Sequence, residues 1–361
     1  MYFFENPSIA YFVPYLFLVY LSIWNKGKLS NLTAIFIWIF LLIFIGFRYQ
    51  VGADYFNYAE WVFQAKTLSY SELLFRAIPP GYALLLKICA NYNLGESGLN
   101  FLNAAIFSTG LIYFCSKLKN PFLGLIASYP YLIVVVAMGY VTHATAIGIQ
   151  LVGLTFYQSK KFKSFYLSIF LALMFHKSAF LSLLIPLFDR IRFIKRKSSL
   201  ISLSLLTFGF GIVYFRYISG VITAYTNFYF AREYSAEGAF IKLLILFIFA
   251  IIFLINRNKF ELTVQQKNLL FSLSIASIFI LLSNFFVKSS VATYRISLYF
   301  YSLILFVTSY LPYTNFLNIS EKNWKMLIYI YNFLILCGWL VFSNHSRGWI
   351  PYKNILFQGF F

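Results

Sequence analysis

The sequence predicts an all-α polytopic integral membrane protein with about twelve transmembrane helices. Of its 361 residues, 61% are hydrophobic and 11% are charged, whereas soluble domains are about a quarter charged. Long apolar runs recur from one end of the chain to the other, and a helix of about 20 apolar residues crosses a bilayer. Basic residues cluster between these runs, which gives a way to orient them.

Apolar runs bounded by polar or charged segments mark the candidate spans. In chain order they are residues 8–24, 32–47, 99–116, 121–138, 141–157, 164–175, 178–188, 199–215, 239–256, 269–287, 294–313 and 324–342. No internal repeat or low-complexity tract divides them, so residues 1–345 form one membrane domain. Residues 346–361 form a C-terminal tail, in which residues 356–359 resemble a protease-tag remnant without function.

Six short basic segments orient the spans. They contain Lys26 and Lys28; Lys117 and Lys119; Lys160, Lys161 and Lys163; the basic residues of 190–197; Arg257, Lys259 and Lys267; and Lys322 and Lys325. Placing all six inside the cell requires an even number of crossings between neighbouring segments. Both termini and the long loop 48–98 then lie outside.

The chain between residues 163 and 190 is too short for two ordinary spans. We expect two short helices or a re-entrant hairpin there, with the turn at His176-Lys177-Ser178. Non-helical backbone at such a depth is tolerated only where protein buries it or where it lines a wet cavity. The topology therefore predicts a cavity near His176.

Composition narrows the function classes. The net charge of +19 would suggest nucleic acid in a soluble protein, but here it reports topology and contact with membrane lipid, so no nucleic-acid partner is expected. The three cysteines lack CxxC spacing, which argues against disulfides and metal ligation. The chain has no Walker A, GxGxxG or HExxH motif, and we predict neither a metal nor another cofactor.

A polar stretch at residues 46–61 follows an apolar span. It contains Arg48, Asp54 and Glu60. Charged groups at the water edge of a span suggest a polar site. The alternative is a solvated loop in which Asp54 caps a helix that starts at Tyr55, while Arg48 snorkels to lipid head groups.

Two histidine-containing stretches are further candidates. His143 and Gln150 are seven residues apart and share one helical face; the alternative is hydrogen bonding between packed helices. His176 and Lys177 lie at the inferred turn, where ionisable groups inside a membrane are functional candidates. The alternative there is a turn histidine that is bonded to the backbone.

Arginines also gather at the predicted outer edge. Arg295, Tyr299 and Ser302 share a face of one span, Arg216 ends another span, and Arg232 lies in the loop after it. Arginine suits phosphate because its planar guanidinium forms two parallel hydrogen bonds. An anionic ligand on the outer face would explain these residues; the alternatives are snorkelling and the aromatic belt.

Four motifs occur in a fixed order along the chain: the stretch from Arg48-Tyr49-Gln50 through Asp54 to Tyr58, Pro80-Gly81-Tyr82, Phe175-His176-Lys177-Ser178 and Tyr294-Arg295-Ile296. In these motifs and their order the chain resembles the EpsG/Wzy-type family of bacterial surface-polysaccharide polymerases. The chain resembles this family over roughly residues 1–345, which would form a single transmembrane polymerase domain. The resemblance implies a dozen or so helices and a relationship to the membrane glycosyltransferase C-type superfamily.

The resemblance also implies a reaction and a location. An O-antigen polymerase of this family transfers a growing glycan from undecaprenyl diphosphate to the non-reducing end of the next lipid-linked repeat unit. It is a metal-independent glycosyltransferase of the bacterial inner membrane, with its active site facing the periplasm. The implied partners are the lipid-linked oligosaccharide donor and acceptor, and such polymerases commonly work with a chain-length regulator.

Candidate residues acquire expected roles in such a reaction, because the acceptor hydroxyl needs a base and the diphosphate needs cations. The candidate catalytic residues are Asp54, His176, His143 and Glu60, with Asp54 or His176 preferred as the base. The candidate diphosphate ligands are Arg48, Arg216, Arg232, Arg295, Lys177 and Tyr299. The candidate sugar-stacking residues are Tyr55, Tyr58 and Trp61.

Two other functions remain open at this stage. An O-antigen ligase or another lipid-linked glycosyltransferase would share the donor and the outer face. Its large periplasmic loop would usually lie in the C-terminal half, however, whereas the largest outer loop here is residues 48–98. A flippase for lipid-linked oligosaccharides would be expected to show paired halves or a charged central cavity.

Overall fold

The structure, a computed structural model, describes residues 9–187, 238–286 and 289–357. Within these ranges every regular element is helical. The predicted span 199–215 and two candidate phosphate ligands, Arg216 and Arg232, lie outside the described residues. The predicted all-helical class is confirmed for the described ranges.

The first described range carries the N-terminal helices. They are α1 (Ile9–Trp24), α2 (Asn31–Leu41), α3 (Tyr55–Gln64), α4 (Tyr70–Phe75), α5 (Pro80–Asn91), α6 (Gly95–Cys115), α7 (Pro121–Ser128), α8 (Val141–Gln158) and α9 (Phe162–Leu173). π-Helical turns extend α2 over Leu42–Gly46 and α7 over Tyr129–Ala137, and a 3-10 helix covers Lys177–Leu187. Side-chain oxygens of Ser30, Ser69 and Asn120 cap the starts of α2, α4 and α7.

The other two ranges carry the C-terminal helices. They are α10 (Ala239–Asn256), α11 (Val264–Ser283), α12 (Ser290–Ser297), α13 (Ser302–Tyr310) and α14 (Glu321–Phe342). Short 3-10 turns follow at Leu298–Phe300, Leu311–Tyr313, Phe316–Asn318, Asn344–Gly348 and Ile355–Phe357. Thr263 and Gln266 form a capping box that fixes the start of α11.

Four described helices are long and apolar enough to cross a membrane singly, namely α6, α10, α11 and α14. The bent pair that contains α12 and α13 brings the number to five if it counts as one span. Four further apolar stretches are shorter: Ile9–Trp24, Asn31–Gly46, Pro121–Ala137 and Phe162–Leu173. The expected architecture of about twelve spans is therefore not confirmed.

The predicted span 294–313 is a broken helix, which corrects the expectation of a continuous one. The chain bends by 45° between the two halves of this segment. Gln150 Nε2 of α8 donates a hydrogen bond of 2.7 Å to the backbone oxygen of Tyr299 at the break. A side chain that bonds to a backbone carbonyl in place of the helical N–H is a common cause of kinks. Because Gln150 lies on another helix, the sequence around Tyr299 does not reveal the kink.

Segments predicted to lie inside and outside collect at opposite ends of the helices. At one end, Lys119 pairs with Glu261 at 2.5 Å, and its ammonium lies 4.6 Å from the ring centre of Tyr313. At the other end, the Gly81 N–H donates to the Met174 carbonyl at 2.7 Å. The described basic loops therefore share one end and the candidate site the other, in agreement with the relative sides expected from charge; the basic segment 190–197 lies outside the described residues.

The long segment 48–98 is folded rather than loose. Helices α3, α4 and α5 pack around a small core of their own, which includes Tyr58, Leu73, Tyr82 and Leu86. Pro80 occupies the first turn of α5, where its missing N–H costs nothing. With 12 residues, α5 is too short to span a bilayer, as expected.

The chain after α14 folds back onto the segment that follows α2. The Tyr49 N–H donates to the Lys353 carbonyl at 2.9 Å, and the Ile355 N–H donates to the Phe47 carbonyl at 2.9 Å. Residues 346–357, the described part of the predicted C-terminal tail, thus belong to a packed part of the fold.

Trp349 anchors this returning segment. Its side chain is fully buried, and the indole N–H donates to the Val134 carbonyl at 2.8 Å. Nearby, the Gly52 N–H donates to the Gly348 carbonyl at 2.8 Å. Gly52 has a φ of +110°, and a Cβ there would overlap the Met138 carbonyl oxygen, so this approach requires glycine.

Candidate functional site

Two histidines distant in sequence stack face to face. The ring of His143, in the first turn of α8, lies 3.5 Å from that of His176, with an angle of 29° between the planes. His143 is 3% exposed, and neither of its ring nitrogens has a hydrogen-bond partner among the described residues. A buried polar group without a partner costs free energy. The His143 ring therefore has hydrogen-bonding capacity that the described part of the protein does not use.

The turn histidine is held by its neighbours in the chain. His176 Nδ1 accepts a hydrogen bond of 3.2 Å from the Ser178 N–H. A turn histidine bonded to the backbone, the alternative interpretation, would make this same bond. The bond does not prevent the face of the His176 ring from stacking on His143. Helix α9 ends at Leu173 and the 3-10 helix starts at Lys177, so the predicted break in the chain at His176 is present.

Tyr299 packs beside the histidine pair, and Gln150 bonds to the backbone of Tyr299. The ring centre of Tyr299 lies 6.0 Å from that of His143 and 6.3 Å from that of His176. Gln150 Nε2 donates to Ser182 Oγ at 2.8 Å and to the Tyr299 carbonyl at 2.7 Å. Packing of polar helices therefore accounts for Gln150, whereas it leaves the His143 nitrogens unsatisfied.

Arg295 and Lys177 bring positive charge to the histidine pair. Arg295 lies in the last turn of α12, Lys177 begins the 3-10 helix, and both are half-buried. Arg295 interacts electrostatically with both histidines, with Lys177 and with Asp54. Two cations held near each other favour an anion beside them. We call these five residues the charged cluster.

Asp54 is the acidic member of the charged cluster. Helix α3 begins at Tyr55 as predicted, but the Asp54 side chain makes no capping hydrogen bond. Its Oδ1 accepts a long bond of 3.5 Å from Asn57. Burial raises the pKa of the Asp54 carboxyl, and Arg295, Asn57 and His345 oppose that rise. A carboxylate with a raised pKa is a stronger proton acceptor near neutral pH.

Helix α5 carries the Pro80-Gly81-Tyr82 motif to the turn before His176. Besides the hydrogen bond from Gly81 to Met174, a Cβ on Gly81 would lie 3.0 Å from that carbonyl oxygen and 3.0 Å from the Phe175 ring. Glycine thus lets the start of α5 approach the turn closely. The four motifs that carry the family resemblance meet at one end of the molecule.

Arg48 lies in the protein interior. It is 1% exposed, and its guanidinium donates to the Val51 carbonyl at 3.1 Å, the Ile45 carbonyl at 2.6 Å and Asn100 Oδ1 at 2.8 Å. Ile45 belongs to a π-helical turn, a feature often found beside functional sites. Arg48 therefore does not snorkel to the surface, and its contacts are those of a residue that positions the 46–61 stretch.

The three candidate sugar platforms differ in exposure. Tyr55 and Tyr58 are 3% and 6% exposed, and Tyr55 Oη donates to Glu96 Oε1 at 3.0 Å. Trp61 is half-buried and packs edge-to-face on Tyr58 with ring centres 5.6 Å apart. Of the three, Trp61 is the one with an accessible ring.

Glu60 is exposed and belongs to a different group of side chains. It accepts a hydrogen bond of 2.7 Å from Gln64, whose Oε1 in turn accepts one of 2.6 Å from Arg76. These contacts do not connect Glu60 with the charged cluster.

Tyr140 and Tyr294, which are not among the site residues predicted from the sequence, extend the charged cluster. The ring centre of Tyr140 lies 6.5 Å from that of His143 and 6.4 Å from that of Tyr294. Because the chain has 29 tyrosines, residue type gave no signal. The sequence pointed to these two tyrosines only through their position next to the stretches that contain His143 and Arg295.

No group of three or more His, Cys, Asp or Glu side chains in the described part of the chain could hold a metal ion. Phosphate binding by Arg216 and Arg232 stays a prediction, since both residues fall outside the described ranges.

The fold and the charged cluster define a helical membrane protein with a polar, cationic site at one end of its helices. A family model described as the EpsG family matches residues 31–354. Because this match covers most of the chain, the protein belongs to the EpsG family. No curated protein and no solved structure matches the chain.

Proposed function

We propose that this protein polymerises a bacterial surface polysaccharide. It would transfer a growing glycan from undecaprenyl diphosphate to the non-reducing end of the next lipid-linked repeat unit. The observation that carries this proposal is the meeting of Arg295, Lys177, Asp54 and the two stacked histidines. Membership of the EpsG family supports the same type of function.

The charged cluster contains the groups that such a transfer needs. The acceptor hydroxyl oxygen attacks the anomeric carbon of the donor sugar, and the bond from that carbon to the diphosphate oxygen breaks. The hydroxyl proton passes to a protein base, and undecaprenyl diphosphate leaves with the bonding electrons. Arg295 and Lys177 would stabilise the charge that develops on the leaving oxygen. The atoms and charges balance without a nucleotide sugar.

Asp54 and His176 are the candidate bases within the charged cluster. The raised pKa of Asp54 brings its proton affinity closer to what base catalysis near neutral pH requires. The unpartnered nitrogens of His143 would bind a sugar hydroxyl or a phosphate oxygen. Trp61 would offer its half-exposed ring to a sugar, and Arg48 would position the stretch that carries Asp54.

The proposed site faces the periplasm across the bacterial inner membrane. The loops joined by the Lys119–Glu261 pair lie at the end opposite the charged cluster, and basic loops are retained in the cytoplasm. Donor and acceptor would thus reach the charged cluster from the outer leaflet. A chain-length regulator would act at this same end, where the growing polymer emerges.

Glycan length provides the test. The gene is deleted and restored as wild type or as Arg295→Ala, and the extracted surface glycan is resolved on a gel. We expect a ladder with the wild type and a single repeat unit with the deletion and with Arg295→Ala. Long polymer that stays on the undecaprenyl carrier, with none on lipid A, would instead identify a ligase. Units that accumulate on the cytoplasmic leaflet would identify a flippase.

A further inference from the structure

A mostly apolar groove runs beside the charged cluster, between α10 and α14. Its volume is about 510 Å³, within the range of about 300–1,000 Å³ that is typical of small-molecule sites. Ile241 and Ile245 of α10 face Leu334, Ile335 and Phe342 of α14 across it. A groove of this kind takes an apolar chain.

The groove occupies the half of the bundle nearest to the charged cluster. It is lined by the first two turns of α10 and by residues 331–343 at the end of α14. At about 1.5 Å per residue, the α14 wall is about 18 Å long, a little over half of a hydrocarbon core about 30 Å thick. The groove therefore matches the depth of a single leaflet.

Lys242 is the one charged residue among the described lining residues. Its Nζ lies 4.3 Å from the ring centre of Tyr294 and 5.2 Å from that of Tyr131, distances at which a cation is attracted to an aromatic ring. In the described ranges it forms no ion pair with a carboxylate. The groove thus offers a positive charge that no described acidic side chain neutralises.

Tyr294 connects Lys242 to the charged cluster. It directly precedes Arg295, and its ring lies 6.4 Å from that of Tyr140, which in turn lies 6.5 Å from His143. A series of aromatic contacts therefore links the cation of the groove to the charged cluster. A diphosphate bound near Arg295 would have its lipid chain directed toward the groove.

We propose that the groove holds the isoprenoid chain of a polyprenyl diphosphate lipid, with Lys242 contacting the diphosphate. This inference rests on the proposed function, because it names how the substrate of that site is held. Rings of Tyr301, Tyr331 and Trp339 add broad π faces to the walls, which suit a branched, unsaturated chain. The unneutralised charge of Lys242 suits the anionic head.

Gly338 allows the groove to be filled without disturbing the helix. A Cβ built on Gly338, in the middle of the α14 wall, has no heavy atom within 4 Å. Gly338→Leu therefore places a side chain in the groove, and leucine also has a better helix propensity than glycine. Val341→Phe adds bulk to an exposed position of the same helix that does not line the groove, which makes it the matched control.

The experiment uses full-length protein in lipid nanodiscs and a polyprenyl diphosphate with a photoreactive group on its first isoprene units. We expect the label to map to residues 238–246 or 331–343. Gly338→Leu should lower the labelling about tenfold, equivalent to about 1.4 kcal/mol, and Val341→Phe should leave it unchanged. Lys242→Gln should weaken labelling by the diphosphate but not by the matching uncharged polyprenyl alcohol.

Two results would overturn the inference. One is equal labelling by a photoreactive phospholipid that competes with the polyprenyl probe, since the groove would then hold bulk lipid. The other is unchanged labelling in Gly338→Leu with a lower melting temperature, since the groove would then belong to protein packing. The labelling assay reports lipid binding and not chain growth, so the two proposals can fail separately. If the purified protein is labelled but deletion of its gene leaves the glycan ladder of the cells unchanged, the polymerase proposal fails and the groove proposal does not.

Discussion

His143 and His176, which are 33 positions apart in the chain, stack with their ring centres 3.5 Å apart. His143 is buried and has no hydrogen-bond partner among the described residues. Burying an imidazole in this way costs free energy, so packing alone is a poor explanation for the stacked pair. Arg295 and Lys177 beside the pair supply positive charge. The relationship between these two rings therefore forms the centre of the proposed site and leads to the first prediction.

Replacing His143 by phenylalanine should separate stability from activity. His143→Phe keeps an aromatic ring against His176 and removes two unpartnered nitrogens, so we expect unchanged stability or a gain of about 1 kcal/mol. Polymer length should nevertheless collapse. Thermal melting of the purified protein and the glycan gel measure the two effects. Tyr166→Phe, which removes from α9 a buried hydroxyl that has no partner among the described residues, is the control and should keep the full ladder.

Arg295 should be sensitive even to a conservative change. Removing one donor that stabilises a developing negative charge costs about 10²–10³ in rate, so Arg295→Ala should abolish long polymer. Arg295→Lys keeps the charge but loses the planar fork, and we expect short chains at reduced yield. Arg76→Ala is the control, because Arg76 is exposed and bonds Gln64. A normal ladder with Arg295→Ala would remove Arg295 from the site.

Asp54 should set the acid limb of the pH profile. Burial raises its pKa, so the carboxyl stays protonated to a higher pH than an exposed aspartate and loses its function as a base when the pH falls through that value. Polymerisation by purified protein should therefore increase with pH and level off above the raised pKa. Asp54→Asn should be inactive at every pH, whereas Glu60→Gln should match the wild type. If both variants kept the wild-type profile, the base would lie elsewhere.

Arg48 should behave as a stability residue. Arg48→Ala leaves the Ile45 and Val51 carbonyls and Asn100 Oδ1 without their donor, and each buried acceptor that stays unsatisfied costs about 1–3 kcal/mol. We expect low protein levels in the membrane and a lower melting temperature. Arg48→Lys should recover part of the stability, since the ammonium can bond some of these acceptors. Full stability of Arg48→Ala together with lost diphosphate binding would assign Arg48 directly to the substrate.

Trp349 should be required for the returning C-terminal segment. Its side chain is fully buried and hydrogen-bonded to Val134, and truncation of such a residue costs about 3–5 kcal/mol. Trp349→Ala should release residues 344–357, which increased proteolysis at this segment would report. Trp24→Ala, at a position 72% exposed, is the control and should resist the protease as the wild type does.

The helical class, the position of most helices and the relative sides of the loops follow from the sequence. Apolar runs and basic segments respond to the bilayer locally, so composition over a short window is sufficient to find them. The predicted span 239–256 matches α10 residue for residue, and the turn at His176 was inferred from loop parity alone. The expected number of spans is not confirmed for the described residues, in which π-helical turns and the bend before α13 interrupt apolar runs without a local signal.

Which candidate residues lie together in the charged cluster was decided by the tertiary structure. The sequence offered Arg48 and Arg295 as charges at the ends of apolar runs, and Glu60 as a carboxylate within the polar stretch 46–61. Packing then placed Arg48 in the interior, left Glu60 in an exposed network and put Arg295 beside the histidines. Contacts between distant segments depend on how helices pack against one another. Residue chemistry and spacing thus determined which groups could serve, and three-dimensional packing decided which of them meet.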